Sequence, residues 1–216
     1  MMPLKLQSPI LYLITSGATT CATTPHSEDF ARLLALVRAA TRARIELLQL
    51  REKKLRPRVL YELAARAAAI THGSTTRLLV NDRADIACAA GADGVHLTTR
   101  SLDASIVRNT FGQDFLIGVS THSLAETRAA RDGLADFATF GPVFDTPSKC
   151  DYGTPIGLEK LSEAAHALAP FPLIALGGVT FHTAPQAIRA GASGIAAIRL
   201  FDDSENLTAI SRALRT

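Results

Sequence analysis

The sequence has few cysteines. There are three in 216 residues, namely Cys21, Cys88 and Cys150, and they lie far apart in the chain. None belongs to a CxxC pair, and none has a histidine at ligand spacing. Disulfide frameworks and structural zinc sites both need grouped ligands, so the cysteine pattern argues against either. A chain that works in the reducing cytoplasm fits this pattern best.

The sequence also lacks long apolar runs and clusters of basic residues. No apolar run approaches the ~20 residues of a transmembrane helix. The first nine residues are too short and too polar for a signal peptide. The formal net charge is +3, and its lysines and arginines are scattered. We therefore expect neither a nucleic-acid nor a membrane partner, whereas small anionic molecules are compatible with such a charge pattern.

What the sequence does contain is a regular alternation of strand and helix patterns. The strands are predicted as continuous apolar runs at Ile10–Thr15, Ile45–Arg51, Arg77–Asp82, Gly94–Thr98, Phe115–Ser120, Phe137–Val143, Pro172–Gly178 and Gly194–Leu200. An amphipathic segment follows each of them. These helices are predicted at Glu28–Thr41, Pro57–His72, Arg83–Ala90, from a Ser101 cap to Phe111, and at Ser123–Asp132, Leu158–Leu168, Thr183–Ala190 and Glu205–Leu214.

Eight strand–helix units predict a parallel (β/α)8 TIM barrel, with residues 1–216 as a single domain of 47% hydrophobic content. A doubly wound open sheet is the alternative. Continuous apolar strands are typical of parallel strands that are buried on both faces. An internal repeat, at residues 90–94 and 190–194, places a Gly-capped helix exit before two of the strands, on the face of the barrel that usually serves stability.

Active sites of this fold lie where the strands end, and the predicted strand ends are polar. After the second strand, alternation directs Gln49, Arg51 and Lys53 to one side. The third strand ends in Asn81 and Asp82, where a carboxylate could bind Mg²⁺ or could cap the next helix. A solvated charged loop is the alternative for the second strand.

Further donors follow the later strands. The segment from Phe137 to Lys149 runs from an apolar strand into a loop with Thr146, Ser148 and Lys149, which predicts an anion site or an ordinary polar turn. Ser120 ends the fifth strand. Loops after the seventh and eighth strands commonly bind phosphate in this fold, and here they carry Gly177-Gly178 and Ile198-Arg199. His96 is predicted to be a core histidine, and His122 to begin a helix.

These strand ends resemble those of the thiamine phosphate synthase family, in order and over nearly the whole chain. The matching motifs are Gln49-Leu50-Arg51-Glu52-Lys53, Asn81-Asp82-Arg83, the segments 91–97, 118–123 and 140–149, and Ala175-Leu176-Gly177-Gly178-Val179-Thr180. The resemblance implies a barrel enzyme that joins hydroxymethylpyrimidine pyrophosphate to hydroxyethylthiazole phosphate, gives thiamine phosphate, and releases pyrophosphate with Mg²⁺. The sequence leaves the oligomeric state open, and a homo-oligomer is compatible with it.

The resemblance also implies roles for individual residues. The expected catalytic residues are Arg51, Lys53, Ser120 and Lys149. Substrate binding is expected from Gln49, Asn81, Thr146, Ser148, Gly178, Ile198 and Arg199, and metal binding from Asp82.

The sequence departs from the family pattern at two places. Thr98-Thr99-Arg100-Ser101 lacks the aspartate that is the second magnesium ligand, and Arg199 stands where the family usually has serine. Two alternatives therefore stay open. One is a thiazole tautomerase, although the histidine those enzymes use is Pro142 here. The other is a non-catalytic paralogue that binds phosphates of the thiamine pathway.

Overall fold

The computed structural model describes residues 9–145 and 154–215. Eight parallel strands close into a barrel in chain order, with each strand hydrogen-bonded to the next and the eighth to the first. The strands are β1 Ile10–Ile14, β2 Leu47–Leu50, β3 Arg77–Asn81, β4 Gly94–Leu97, β5 Leu116–Thr121, β6 Phe137–Phe140, β7 Leu173–Leu176 and β8 Gly194–Ala197. The helices are α1 Glu28–Arg42, α2 Pro57–Thr71, α3 Ala84–Ala89, α4 Ala104–Phe111, α5 Leu124–Asp132, α6 Gly157–Leu168, α7 Ala184–Arg189 and α8 Leu207–Ala213. The predicted (β/α)8 barrel is confirmed.

The apolar residues form two separate cores, because successive strand residues point to opposite faces. The larger core lies between the strands and the surrounding helices. The smaller one fills the barrel interior with residues such as Ile10, Tyr12, Leu79 and Phe137. Near the carboxyl ends, the interior positions of β2 to β5 carry polar side chains such as Gln49 and Ser120. Ile14, Leu176 and Ile198 keep the β1, β7 and β8 side apolar.

A repeated contact secures the opposite end of the barrel, where the strands begin. The residue just before each even-numbered strand accepts a hydrogen bond from a backbone N–H near the start of the preceding odd-numbered strand. The N···O pairs are Leu11 with Glu46 at 3.0 Å, Leu78 with Asp93 at 2.8 Å, Ile117 with Asp136 at 2.7 Å and Leu173 with Ser193 at 3.4 Å. These side chains satisfy backbone donors that the staggered strands leave without a ladder partner.

Arginines complete three of these contacts. Arg215 reaches Glu46 at 2.8 Å, Arg77 reaches Asp93 at 3.0 Å, and Arg108 reaches Asp136 at 2.7 Å. The three pairs differ in burial. The side chain of Arg108 is 1% exposed, whereas that of Arg77 is 51% exposed. The same local geometry is therefore buried in the Arg108–Asp136 pair and largely exposed in the Arg77–Asp93 pair.

The internal repeat seen in the sequence has the predicted role. Gly91 and Gly191 follow α3 and α7 with φ of +71° and +98°, a backbone conformation that favours glycine. Gly94 and Gly194 begin β4 and β8 without side chains, which permits a close approach of the neighbouring strand. A Cβ on Gly94 would lie 1.9 Å from the carbonyl oxygen of Leu116.

We expect Gly94→Ala to lower the free energy of unfolding by about 3 kcal/mol, at the upper end of the range for overpacked sites, because the methyl group meets backbone that cannot turn aside. Gly91→Ala is the matched control. It forces a positive φ but meets no atom within 4 Å, so we expect a loss of about 1 kcal/mol. Urea unfolding of both variants measures the difference, and equal losses would contradict the steric explanation.

Most of the predicted boundaries shift by one or two residues in the structure, and three of the differences have a clear local cause. Strand β6 ends at Phe140 rather than Val143, because Pro142 has no N–H for the ladder. Strand β8 ends at Ala197, because Ile198 turns into a short 3-10 helix over Arg199–Phe201. Ser101 does not cap α4, which begins after Asp103.

Among the described residues, no helix is both long and apolar enough to span a membrane.

Candidate active site

The end of β2 places its alternating side chains on two sides. Gln49 points into the barrel and is 1% exposed. Glu52 points the other way and is 2% exposed. Its carboxylate accepts hydrogen bonds from the hydroxyls of Thr15 at 2.6 Å and Thr19 at 2.5 Å, and from two backbone N–H groups of the same loop, those of Gly17 and Thr19. Glu52 therefore holds the loop after β1 against the end of β2, and the charged Arg-Glu-Lys segment is not simply solvated.

Lys53 lies in a group of charges at the mouth of the barrel. Partial burial lowers the pKa of its ammonium group, the positive charges of Arg51 and Arg100 lower it further, and only Asp82 opposes them. Lys53 thus lies near two further cations and one carboxylate. An excess of positive charge at a concave site attracts anions, and an anionic ligand would relieve the repulsion among the cations.

Asp82 has an unusual backbone conformation, with φ of +62°. Its N–H donates to the carbonyl oxygen of His96 at 2.9 Å, and its carboxylate accepts a hydrogen bond from the Ser101 hydroxyl. It does not cap α3, which begins at Ala84 after Arg83. Asp82 is therefore held at the mouth by the neighbouring strand and by the loop after β4.

The donor set around Asp82 limits how a magnesium ion could bind. Within residues 9–145 and 154–215, no group of three or more His, Cys, Asp or Glu side chains could hold a metal. Ser101 occupies part of the segment after β4 and offers Asp82 a hydroxyl rather than a second carboxylate. Mg²⁺ is commonly held by one or two carboxylates together with substrate phosphates. Asp82 fits an ion that is shared with a bound phosphate group.

Polar side chains cross the barrel interior below the mouth. Gln49 Nε2 donates to the hydroxyl of Tyr12 at 2.8 Å. The same hydroxyl lies 3.0 Å from Nδ1 of His96, and Nε2 of His96 lies 2.9 Å from the hydroxyl of Ser120. Asn81 pairs with His96 in the ladder between β3 and β4. As predicted, His96 is a core histidine with partners on both ring nitrogens.

The predicted phosphate-binding residues lie at the ends of β7 and β8. Gly178 has φ of +64°, and a Cβ there would lie 2.4 Å from the carbonyl oxygen of Asp145. Ile198 packs on the interior core, and Arg199 is exposed. Three further predicted residues, Thr146, Ser148 and Lys149, lie outside the described residues.

His122 precedes α5, as predicted. Ser123 caps this helix by accepting a hydrogen bond from the N–H of Glu126 at 3.1 Å, and Glu126 accepts one from the N–H of His122 at 2.8 Å. The first bond is an N-cap, and the second ties Glu126 to the residue before the cap, so this strand end is occupied by local structure.

Sequence reasoning missed Tyr12 and Gly118. Tyr12 lies in an apolar strand, and nothing in its neighbourhood indicates a polar partner. Gly118 makes room for the interior rings, because a Cβ there would lie 2.3 Å from Phe137 and 2.7 Å from His96. A glycine in the middle of an apolar strand was the available signal, since such a glycine often marks a close approach.

The fold and these strand ends define the class: a (β/α)8 barrel with cationic side chains at its mouth and a polar hydrogen-bonded layer above an apolar interior core. Residues 13–201 match the family model described as thiamine monophosphate synthase, and the chain belongs to this family, as its motifs predicted.

Relatives and a solved structure agree with this assignment. The chain is 36% identical over 213 residues to the thiamine-phosphate synthase of Roseiflexus castenholzii, covering 98% of this chain and 92% of that one. It is 40% identical over 181 residues to the thiamine-phosphate synthase of Methanoculleus marisnigri, covering 83% and 85%. The structure of a thiamine phosphate pyrophosphorylase from Pyrococcus furiosus superposes with a TM-score of 0.77 at 26% identity, covering 96% and 94%.

Proposed function

We propose that this chain is a thiamine-phosphate synthase, which joins hydroxymethylpyrimidine pyrophosphate to hydroxyethylthiazole phosphate. The thiazole nitrogen supplies the electron pair for a new C–N bond to the methylene carbon of the pyrimidine. The C–O bond from that carbon to pyrophosphate breaks, and pyrophosphate leaves with the bonding electrons. No proton has to be removed to form the bond, so the reaction needs charge stabilisation and orientation rather than a general base.

The observation that carries this proposal is the group of charges around Lys53, in which Arg51 and Arg100 oppose its positive charge and Asp82 favours it. Positive groups placed where a leaving group gains negative charge stabilise the transition state more than the ground state. Arg51 and Lys53 bind the departing pyrophosphate in this proposal, and Lys149 assists them. Hydrolysis would instead call for a positioned base beside an attacking water.

The remaining predicted residues hold the two substrates. Gln49 and Asn81 bind the pyrimidine pyrophosphate at the floor of the mouth, and Ser120 contacts its pyrophosphate. The thiazole phosphate is bound by Thr146, Ser148, Gly178, Ile198 and Arg199. Asp82 is the residue that would hold Mg²⁺, which, when bound, neutralises charge on the phosphate oxygens.

The direct test is a pyrophosphate-release assay with the purified chain, both phosphorylated precursors and Mg²⁺. We expect release that requires both precursors, and a reaction without the thiazole phosphate serves as the control. A rate equal to that without enzyme would overturn the proposal. Isomerisation of a thiazole carboxylate without the pyrimidine substrate would support a tautomerase, and phosphate-dependent thermal stabilisation without turnover would support a binding paralogue.

Replacing Asp82 with asparagine tests the metal assignment. We expect the Mg²⁺ concentration that gives half the maximal rate to rise at least about tenfold, since even the loss of an outer partner of a metal ligand has an effect of this size. Asp85→Asn is the control, because Asp85 carries the same charge nearby but is paired with Arg83. Equal magnesium dependence in the two variants would contradict the assignment of Asp82.

A further inference from the structure

The interior hydrogen bonds form one continuous chain with a defined direction. It runs through Gln49 on β2, Tyr12 on β1, His96 on β4 and Ser120 on β5, with spacings of 2.8, 3.0 and 2.9 Å. Tyr12 is 0% exposed, Gln49 1% and His96 3%. Ser120, the last member, is partly exposed at the mouth. This hydrogen-bond chain therefore links the buried phenol of Tyr12 to the mouth of the barrel, where the proposed substrates would bind.

The direction follows from the Tyr12 hydroxyl. This group has one proton, and burial without an acceptor for that proton would be costly. Gln49 presents its amide nitrogen, which can only donate. Of the two polar atoms that the described residues place against the hydroxyl, Nδ1 of His96 is thus the acceptor. Tyr12 donates to Nδ1, and the proton of the neutral imidazole must be on Nε2.

The position of the His96 proton determines where the Ser120 hydroxyl can donate its own proton. Nε2–H of His96 donates to the Ser120 hydroxyl oxygen, so the serine proton cannot be directed back at His96. It must be directed towards another acceptor. The cationic mouth above Ser120 is a place for anionic oxygens, and a hydroxyl that donates suits a phosphate oxygen.

The environment of Tyr12 and His96 stabilises this direction of the hydrogen bonds. His96 is 3% exposed and its Nδ1 accepts from Tyr12, so the ring carries a single proton, on Nε2. Burial raises the pKa of Tyr12 well above its ordinary value, which keeps the tyrosine proton in place. The rings of Tyr12, His96 and Phe137 pack with centroids 5.6 to 5.9 Å apart, and the missing Cβ of Gly118 leaves room for this arrangement.

We propose that Tyr12 and His96 are positioning residues that set the Ser120 hydroxyl as a hydrogen-bond donor to the leaving pyrophosphate. The role of the pyrophosphate rests on the proposed function, whereas the direction of the hydrogen-bond chain does not. Tyr12 and His96 touch neither substrate in this proposal and act through Ser120 alone.

Nitrogen NMR of the ¹⁵N-histidine-labelled chain tests the direction without any substrate. We expect His96, assigned by the loss of its signals in His96→Gln, to show an unprotonated Nδ1 and a protonated Nε2 at neutral pH. In Tyr12→Phe the Nδ1 atom loses its donor, and we expect a mixture of the two tautomers. A protonated Nδ1 in the wild-type chain would overturn the proposal, even if the synthase assay succeeds.

Kinetics test the dependence on Ser120. Replacing His96 with asparagine removes the donor to Ser120, and we expect kcat to fall about 10- to 100-fold, by analogy with residues that orient a metal ligand. Glutamine can place an amide N–H near the position of Nε2, so His96→Gln should recover most of kcat. In a Ser120→Ala background, His96→Asn should change kcat by less than about twofold, because coupled residues are not additive.

Independent effects of His96→Asn and Ser120→Ala on kcat would overturn the positioning role. Circular dichroism melting checks that each variant folds. Should His96→Asn fail to fold, Tyr12→Phe replaces it in the same comparison, since it removes a single hydroxyl. If the wild-type protein releases no pyrophosphate, the proposed function fails. The NMR result still decides the direction of the interior hydrogen bonds.

Discussion

A Lys53→Met variant is expected to lose about 100- to 1,000-fold in kcat for pyrophosphate release, the effect of removing one preorganised donor from a developing anion. Methionine keeps much of the length and apolar stem of lysine but carries no charge. Lys53 lies beside Arg51, Arg100 and Asp82, and the pKa of its ammonium group is lowered by burial and by the two arginines. Its charge is therefore placed against like charges, an arrangement that a bound pyrophosphate would make favourable.

Lys54→Met provides the matched control for this experiment. Lys54 is the next residue along the chain and is also exposed, so the two variants lose the same charge from the same turn. We expect Lys54→Met to keep kcat within about threefold, because Lys54 is not among the charges that act on Lys53 and solvent screens more distant charges. A similar loss of kcat in both variants would show that overall charge, rather than the position of Lys53, governs the reaction.

Replacing Arg108 with methionine is expected to lower the free energy of unfolding by about 3–5 kcal/mol, the cost of breaking a buried ion pair. The guanidinium group is 1% exposed and lies 2.7 Å from the carboxylate of Asp136. It also donates to four backbone carbonyl oxygens, those of Gly112, Gln113, Phe115 and Leu134. The variant leaves a largely buried carboxylate and these carbonyl groups without their donor.

Arg77→Met is the control for Arg108→Met. Its partner Asp93 makes the same backbone contact as Asp136, but this ion pair is at the surface, so we expect a loss of about 1 kcal/mol or less in urea unfolding. Adding Asp136→Asn to Arg108→Met should recover part of the loss, because it removes the unpaired charge. Equal losses in the Arg108 and Arg77 variants would contradict this explanation.

The family could be predicted from the sequence because its motifs lie in short continuous segments. Gln49, Arg51 and Lys53 alternate along an extended stretch, and Asn81-Asp82 ends a strand, so their location at the mouth follows once the barrel is assumed. The capping role considered for Asp82 was less predictable. Asp82 instead bonds Ser101, which is 19 residues away, and local spacing carries no information on such a contact.

Contacts between side chains on distant parts of the sequence could not be predicted from it. Tyr12 and His96 are 84 residues apart, and Arg108 and Asp136 are 28 apart. Whether a buried tyrosine finds an acceptor depends on the stagger of strands around a closed barrel, which sets the height of each side chain in the interior. For the same reason, no sequence pattern distinguishes the interior Arg108–Asp136 pair from the exposed Arg77–Asp93 pair.

The sequence by itself determined the (β/α)8 barrel, the family and the identity of the polar strand ends, because strand and helix periodicity and short motifs are local properties of the chain. The tertiary structure alone decided which of these groups meet. It placed Lys53 among Arg51, Arg100 and Asp82, and it joined Gln49, Tyr12, His96 and Ser120 into one directed chain. Closing the barrel brings these strands into register, and only that closure creates a common interior.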